Sequence, residues 1–344
     1  MITRPLADSR ARRRGRRPRA LPLSMLRFLA GDFFGKGMER QGEGRFWGIM
    51  ELQRLMTIGT IQKVNLFSTN TKAKVKADVI LGDCLDVLKT LPDNSVDLIV
   101  TSPPYADQRK STYGGISPDK YVEWFLPITA ELLRVLSPKG TFVLNIKEKV
   151  ANGERHTYVM ELIIAMRKQG WFWTEEFIWH KRNCFPGKWP NRFRDSWERL
   201  LQFNKEKNFN MYQDEVRVPM GNWAKTRLKN LSETDKQRDN SKVGSGFGKN
   251  VSNWVGRELA YPTNVLSMAT ESSNKKHSAV FPKELPNWFI RLFTKPGDVV
   301  LDPFLGSGTT SIVAFQLDRN SIGIEILEEY HKLALENINE QTKI

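Results

Sequence analysis

An α/β fold built on a doubly wound, mainly parallel sheet is predicted by three features of this 344-residue sequence. Short apolar runs alternate with amphipathic stretches through two separate halves of the chain, the pattern of strand–helix–strand units joined by right-handed crossovers. VDLIV (96–100) is apolar on both of its faces, as expected of a strand covered on both sides. Several runs end on an acidic residue or a tight turn, at the carboxyl edge of the sheet where ligands of open parallel folds bind.

Taken in order, residues 1–20 hold eight Arg and one Asp, interrupted by Pro5 and Pro18, a composition that cannot bury a core. Residues 1–37 are therefore expected to be a disordered, dispensable extension, with Met38, Met50 and Met56 as alternative starts. Residues 38–76 show no clear periodicity, and the organised chain is expected to begin near Ala77. ADVILGDC (77–84) reads as a strand and DCLDVLKTLP (83–92) as a helix with Leu85, Leu88 and Leu91 on one face. VDLIV then runs into a Pro-Pro break, YVEWFLPITAELLRVLSPKG (121–140) reads as a helix, and TFVLNI (141–146) as a buried strand. YVMELIIAMRKQG (158–170) is an amphipathic helix closed by Gly170 at its C′ position, and WFWTEEFIWHK (171–181) is strand-like. Periodicity dissolves over 181–262 and returns with the helix LPNWFIRLFT (285–294). DVVLDPFLGSGTTSIVAFQL (298–317) reads as strand, glycine turn and helix; SIGIEI (321–326) as a strand; LEEYHKLALENINEQ (327–341) as a terminal helix.

Composition narrows the function. No apolar run approaches the roughly 18 residues of a membrane span, so no membrane partner is expected. Cys84 and Cys184 cannot form a disulfide framework, and with four scattered histidines they give no zinc-ligand spacing, so no metal site is expected. The net charge of +15 sits in two blocks: +7 over residues 1–20 and +8 over 181–262, on an otherwise neutral chain. Such blocks point to a polyanion, most simply nucleic acid.

Two motifs carry the chemistry. VVLDPFLGSGTT (299–310) delivers Asp302 to a strand end, followed by a turn with Gly306 and Gly308 and a helix start at Thr309 or Thr310. Without a Lys after Gly308 this is not a triphosphate loop, and it lacks the spacing of a dinucleotide loop. Glu325, at the end of the next strand, is placed to accept two ribose hydroxyls. In TSPPY (101–105) two prolines fix φ and remove two N–H donors, making a rigid turn that presents carbonyl oxygens, the Ser102 hydroxyl and the Tyr105 ring. Such a turn can accept hydrogen bonds from an amino group while stacking on a planar ring.

Together, DLIVTSPPY and VLDPFLGSGTT resemble the amino-group DNA methyltransferases that use S-adenosylmethionine, over roughly residues 77–341. The catalytic motif precedes the cofactor motif with the basic block between them, as in the β-class of these enzymes. The resemblance implies a Rossmann-like methyltransferase fold, S-adenosylmethionine as cofactor and double-stranded DNA as partner. It implies catalysis by Ser102, Pro103, Pro104 and Tyr105 on a flipped-out base. Cofactor contacts are implied for Asp83 of GDCLDVL, for Phe281 and Lys283 of KHSAVFPKELPNWFI, and for Asp302, Pro303, Phe304, Gly306, Ser307, Gly308, Thr309 and Glu325. A serine in the first motif position points to cytosine N4 as the target, with adenine N6 the alternative; RNA as substrate and a non-catalytic nucleic-acid-binding protein are further readings. No covalent cysteine is needed, and Asp107 is a candidate proton acceptor whose plainer reading is a solvated loop acid.

The expected organisation is a catalytic half over 77–180, a target-recognition region over 181–262 that neither half needs for its sheet, and a cofactor half over 263–344. Arg182, Lys188, Arg192, Arg194, Lys225, Arg227 and Lys229, interleaved with Trp189, Phe193 and Trp197, are the candidate DNA contacts. GSGFGKN (244–250) follows no strand and reads as a flexible loop. A restriction endonuclease acting on the same site is an expected companion, in a prokaryotic or phage-like cytoplasm at the nucleoid.

Overall fold

The computed structural model describes residues 56–58, 61–67, 75–108, 115–184, 186–187, 189–234, 254–271 and 281–342. The expectations for the Arg-rich extension, for GSGFGKN and for Lys188 lie outside these residues.

The strands are β1 (Met56–Ile58), β2 (Ile61–Phe67), β3 (Lys76–Leu81), β4 (Val96–Thr101), β5 (Leu136–Ile146), β6 (Val150–Ala151), β7 (Glu154–Arg155), β8 (Phe172–Lys181), β9 (Trp197–Asn204), β10 (Val218–Pro219), β11 (Leu259–Ala260), β12 (Val265–Met268), β13 (Val299–Asp302) and β14 (Asn320–Glu325). The helices are α1 (Cys84–Leu88), α2 (Pro118–Val135), α3 (Tyr158–Lys168), α4 (Asn222–Lys229), α5 (Glu284–Phe293), α6 (Thr309–Gln316) and α7 (Glu328–Thr342). The main sheet runs β1-β2-β3-β14-β13-β4-β5-β9-β8-β12, and β6–β7 and β10–β11 form two small ribbons. β3, β14, β13, β4 and β5 are mutually parallel, so their carboxyl ends gather on one edge.

Both faces of this sheet are covered, as the all-apolar β4 requires. Leu88, Phe125, Leu132, Leu162 and Met166 of α1, α2 and α3 pack with Phe142, Leu144 and Phe203 on one side. Leu285, Phe289 and Phe293 of α5 pack with Leu98, Val100, Val143 and Leu200 on the other. α6 and α7 cover β3 through Ile312, Ala334 and Ile338.

Three expectations are corrected. The ordered sheet begins before Ala77: β2 pairs antiparallel with β3 from Gln62↔Leu81 to Phe67↔Lys76. Its polar positions hide the strand in the sequence, but Lys63 reaches the buried Asp78 at 2.7 Å and accounts for an acid in the middle of β3. The α2 helix ends at Val135 rather than continuing to Gly140. Residues 136–146 are one long strand, in which a Cβ on Gly140 would lie 3.0 Å from the Asp97 carbonyl oxygen. Finally, the 181–262 block is not dispensable to the sheet. WERLLQF (197–203) lies in β9, which sits between β5 and β8, antiparallel to both.

Candidate active site

A cavity of about 1030 Å³ opens at the carboxyl edge of the sheet. The turn after β4 supplies Ser102, Pro103, Pro104 and Tyr105 to its wall, and the turns after β13 and β14 supply Pro303, Phe304, Gly306, Ser307, Thr309 and Glu325. Asp83, the N-cap of α1, and Phe281 also line it. Two motifs about 200 positions apart in sequence thus face one another because β4 and β13 are neighbours in the sheet.

Glu325 is 3% exposed. Its Oε2 accepts from the Gly306 N–H and its Oε1 from the Leu327 N–H, each at 2.9 Å, so the carboxylate ties the two turns together. Burial lifts its pKa above the ordinary value, against the lowering effect of those N–H groups.

The Pro-Pro turn is held from behind. Tyr121 Oη donates to the Pro104 carbonyl at 3.0 Å. Ser102 Oγ donates to Tyr105 Oη at 3.2 Å, and Tyr105 Oη donates to Glu198 Oε2 at 2.7 Å. Asn145 Nδ2 and Lys181 Nζ also donate to the Glu198 carboxylate, at 3.1 and 2.5 Å. Burial, then the Glu198 charge, hold the Tyr105 phenol well above its ordinary pKa. Cys84 lines the cavity, but burial and the charge of Asp83 push its thiol up to about 12, so it stays protonated and offers no thiolate nucleophile.

Three expected cofactor contacts are placed elsewhere. Asp302 is 2% exposed and does not line the cavity. It accepts from Thr101 Oγ1 and Thr310 Oγ1, both at 2.6 Å, and from the Phe304 N–H at 3.1 Å, so it locks the turn that carries the lining residues. Gly308 has φ +91°, and a Cβ there would come within 3.3 Å of Ala334 Cα; the glycine serves the turn and the packing of α7. Lys283 Nζ donates to Gln341 Oε1 at 2.7 Å, away from the cavity wall. Asp107, the candidate proton acceptor, pairs with Lys149 at 2.5 Å and is likewise not part of that wall.

A DNA methylase family model, that of the N6 and N4 methyltransferases, matches residues 96–336. The chain belongs to the N6/N4 DNA methylase family. The Type II methyltransferase M.PvuII of Proteus hauseri is 30% identical to it over 299 residues, 80% of this chain and 88% of that one. M.Cfr9I of Citrobacter freundii is 29% identical over 298 residues, 76% of this chain and 87% of that one. Among solved structures, the cytosine-N4-specific PvuII DNA methyltransferase aligns with a TM-score of 0.57 at 26% identity, covering 77% of this chain and 91% of that chain. A Thermus thermophilus protein assigned as a DNA modification methylase and solved with S-adenosyl-L-methionine aligns with a TM-score of 0.50 at 25% identity, covering 76% and 93%. The methyltransferase fold, the DNA methyltransferase activity and the cofactor expected from the sequence are all borne out.

The residues of this methylase suit S-adenosylmethionine. The two ribose hydroxyls are donors, and Glu325 retains lone pairs beyond the two N–H groups it already accepts. Phe304 and Ile326 give the same wall an apolar surface for a planar ring. Among the described residues no group of three or more His, Cys, Asp or Glu could hold a metal ion, and no helix is long and apolar enough to cross a membrane.

Among the described residues, none of the candidate DNA contacts lines the cavity wall. The loop between β8 and β9 leaves and re-enters the cavity wall at Lys181 and Glu198, and Asp195 ties it to Lys147 and Arg155. Arg192 lies over the Trp189 ring at 5.1 Å, Arg194 donates to the Cys184 carbonyl, and Phe193 between them is 95% exposed. Arg182 lies 4.0 Å from Glu284. On α4, Lys225 and Lys229 are one turn apart and exposed, whereas Arg227 is half-buried on another face. Sequence reasoning missed Asn145, Lys147, Trp179, Lys181 and Glu198 as cavity residues. The one available signal was an acid, Glu198, near the start of a strand whose centre is Leu200 and Leu201.

Proposed function

We propose that this methylase transfers a methyl group to the exocyclic N4 amine of cytosine in double-stranded DNA. The observation that carries the reading is Ser102 in the first position of the Pro-Pro turn, lining the same cavity as Glu325, in a chain similar to the cytosine-N4-specific PvuII enzyme. The amine is a poor nucleophile because its lone pair is delocalised into the ring. Ser102 Oγ and the Pro103 carbonyl accept its hydrogens and favour a more tetrahedral nitrogen, while the Tyr105 ring stacks on the base. When bound, S-adenosylmethionine supplies a sulfonium-linked methyl group and leaves as the thioether. Asp83, Phe281, Pro303, Phe304, Gly306, Ser307, Thr309 and Glu325 hold the cofactor against the Pro-Pro turn, so the chain contributes alignment more than acid–base power. The base reaches the cavity only when rotated out of the duplex.

In this reading the non-sheet part of 181–262 grips DNA. Arg182, Arg192 and Arg194 of the β8–β9 loop and the α4 residues Lys225, Arg227 and Lys229 are its phosphate and base contacts, with Lys188 expected among them. A restriction endonuclease of the same specificity is the companion that the Type II naming of the relatives suggests, in the cytoplasm of a bacterium.

Nucleoside mass analysis of DNA incubated with the protein and S-adenosylmethionine tests this. N4-methylcytosine is the expected product. N6-methyladenine would move the target to adenine, and unmodified DNA would leave only a binding role.

A further inference from the structure

We propose that Glu198 is the positioning residue of the catalytic turn: through the Tyr105 hydroxyl it commits the Ser102 hydroxyl proton inward and leaves the Ser102 lone pairs for the substrate amine. This rests on the reading above that Ser102 meets the amine.

The number of protons available fixes the direction of each bond. A hydroxyl has one proton to donate and two lone pairs to accept with. Glu198 is 6% exposed, and as a carboxylate it only accepts. Its Oε1 takes the Lys181 ammonium, and its Oε2 takes the Asn145 amide and Tyr105 Oη at 2.7 Å. The single Tyr105 proton is therefore spent on Glu198, and burial keeps that phenol from ionising. What Tyr105 Oη still offers Ser102 at 3.2 Å is a lone pair, so Ser102 must be the donor in that bond. The face of Ser102 Oγ that lines the cavity is then an acceptor, which is what an amine bearing two hydrogens requires. Without the Glu198 charge the Tyr105 proton is free to turn toward Ser102. The serine proton would then point into the cavity, at the nitrogen lone pair that has to attack.

The same three bonds carry the proton that methylation releases. The nitrogen forms its bond to the methyl carbon as the carbon–sulfur bond breaks, and becomes positively charged. One N–H proton passes to Ser102 Oγ, the proton of Ser102 to Tyr105 Oη, and the proton of Tyr105 to Glu198 Oε2. The product amine ends neutral and Glu198 ends as the acid; nothing is oxidised or reduced. Asn145 and Lys181 hold Glu198 in place for this role.

The experiment is a double-mutant cycle on the full chain, read as the single-turnover rate of methyl transfer with both substrates saturating. Glu198→Gln and Tyr105→Phe are each expected to slow transfer by roughly tenfold to a hundredfold, the usual weight of a hydrogen bond to a charged group. Dissociation constants for S-adenosylmethionine and DNA should stay within about twofold. Because Glu198 acts only through the Tyr105 hydroxyl, the double variant should be no slower than the slower single variant. Glu198→Asp, which keeps the charge, should recover part of the rate. Multiplying losses in the double variant, a parental rate in Glu198→Gln, or a rate loss matched by weaker cofactor binding would each overturn the proposal. Should Glu198→Gln fail to fold, the Ser102→Ala and Tyr105→Phe cycle decides in the same way, with additive losses counting against it. The parent protein's product separates this from the target-base reading: adenine methylation would refute cytosine and leave the orientation of Ser102 standing.

Discussion

Thr101 donates a 2.6 Å hydrogen bond to Asp302 across 201 positions of sequence. Each residue closes a central strand, β4 or β13, and each is followed at once by a turn that lines the cavity. This bond therefore sets the catalytic turn against the cofactor turn. Thr101→Val, which keeps the shape and removes the donor, should cost about 1–3 kcal/mol of stability. Chemical denaturation of parent and variant measures it. An unchanged midpoint would mean that the sheet pairing alone aligns the two turns.

Glu325 should govern cofactor affinity. Glu325→Ala is expected to weaken S-adenosylmethionine binding by about 1–3 kcal/mol, the cost of leaving paired groups unsatisfied. Isothermal calorimetry reads this directly, and equal affinities would remove Glu325 from the site.

The same residue should make binding pH-dependent. Burial raises its pKa above the ordinary 4.5, so the carboxylate forms only as pH rises through that higher value. The ionised form accepts hydroxyl hydrogens at both oxygens, whereas the acid loses acceptor capacity. Affinity should increase with pH from about 4.5 upward and level off once Glu325 is ionised. Glu325→Gln should bind weakly with that step missing. The folded-state contribution runs oppositely: a raised carboxyl pKa favours the fold below 4.5 and loses that contribution as pH rises through the folded value. Melting curves without cofactor should show this second trend.

Ser102→Ala and Tyr105→Ala should reduce the rate of methyl transfer while leaving cofactor affinity nearly intact, because neither bonds to the Glu325 side of the cavity. Transfer at the parent rate by the double variant would place the chemistry elsewhere.

On the DNA side, the arginines of the β8–β9 loop should act mainly on phosphates. Replacing Arg192 or Arg194 with Ala should weaken binding to cognate and mismatched duplexes alike. Each substitution should also lower the slope of log affinity against log salt by about 0.9, the share of one neutralised phosphate. A selective weakening on the cognate duplex, costing about 1–3 kcal/mol, would instead mark a base-reading residue. Titrations at two salt concentrations distinguish the outcomes.

The α/β class, most of the sheet's strands and the two motifs that line the cavity were legible in the chain before any fold was known. Those features are local: apolar runs such as VDLIV declare their burial, and Pro103, Pro104 and Gly306 shape the turns that hold them. Which motif residues face the ligand was not local. Asp302 and Glu325 look alike in sequence, each ending a hydrophobic strand, yet hydroxyls from β4 and α6 close over Asp302 while Glu325 stays at the cavity wall. Glu198 was legible only as an odd acid in a strand. Its role depends on β9 inserting antiparallel between β5 and β8, which brings it to Tyr105 from 93 positions away. Long-range strand pairing decided this, because a hydrogen-bond network takes its partners from space, and nothing in the spacing of residues along the chain records it.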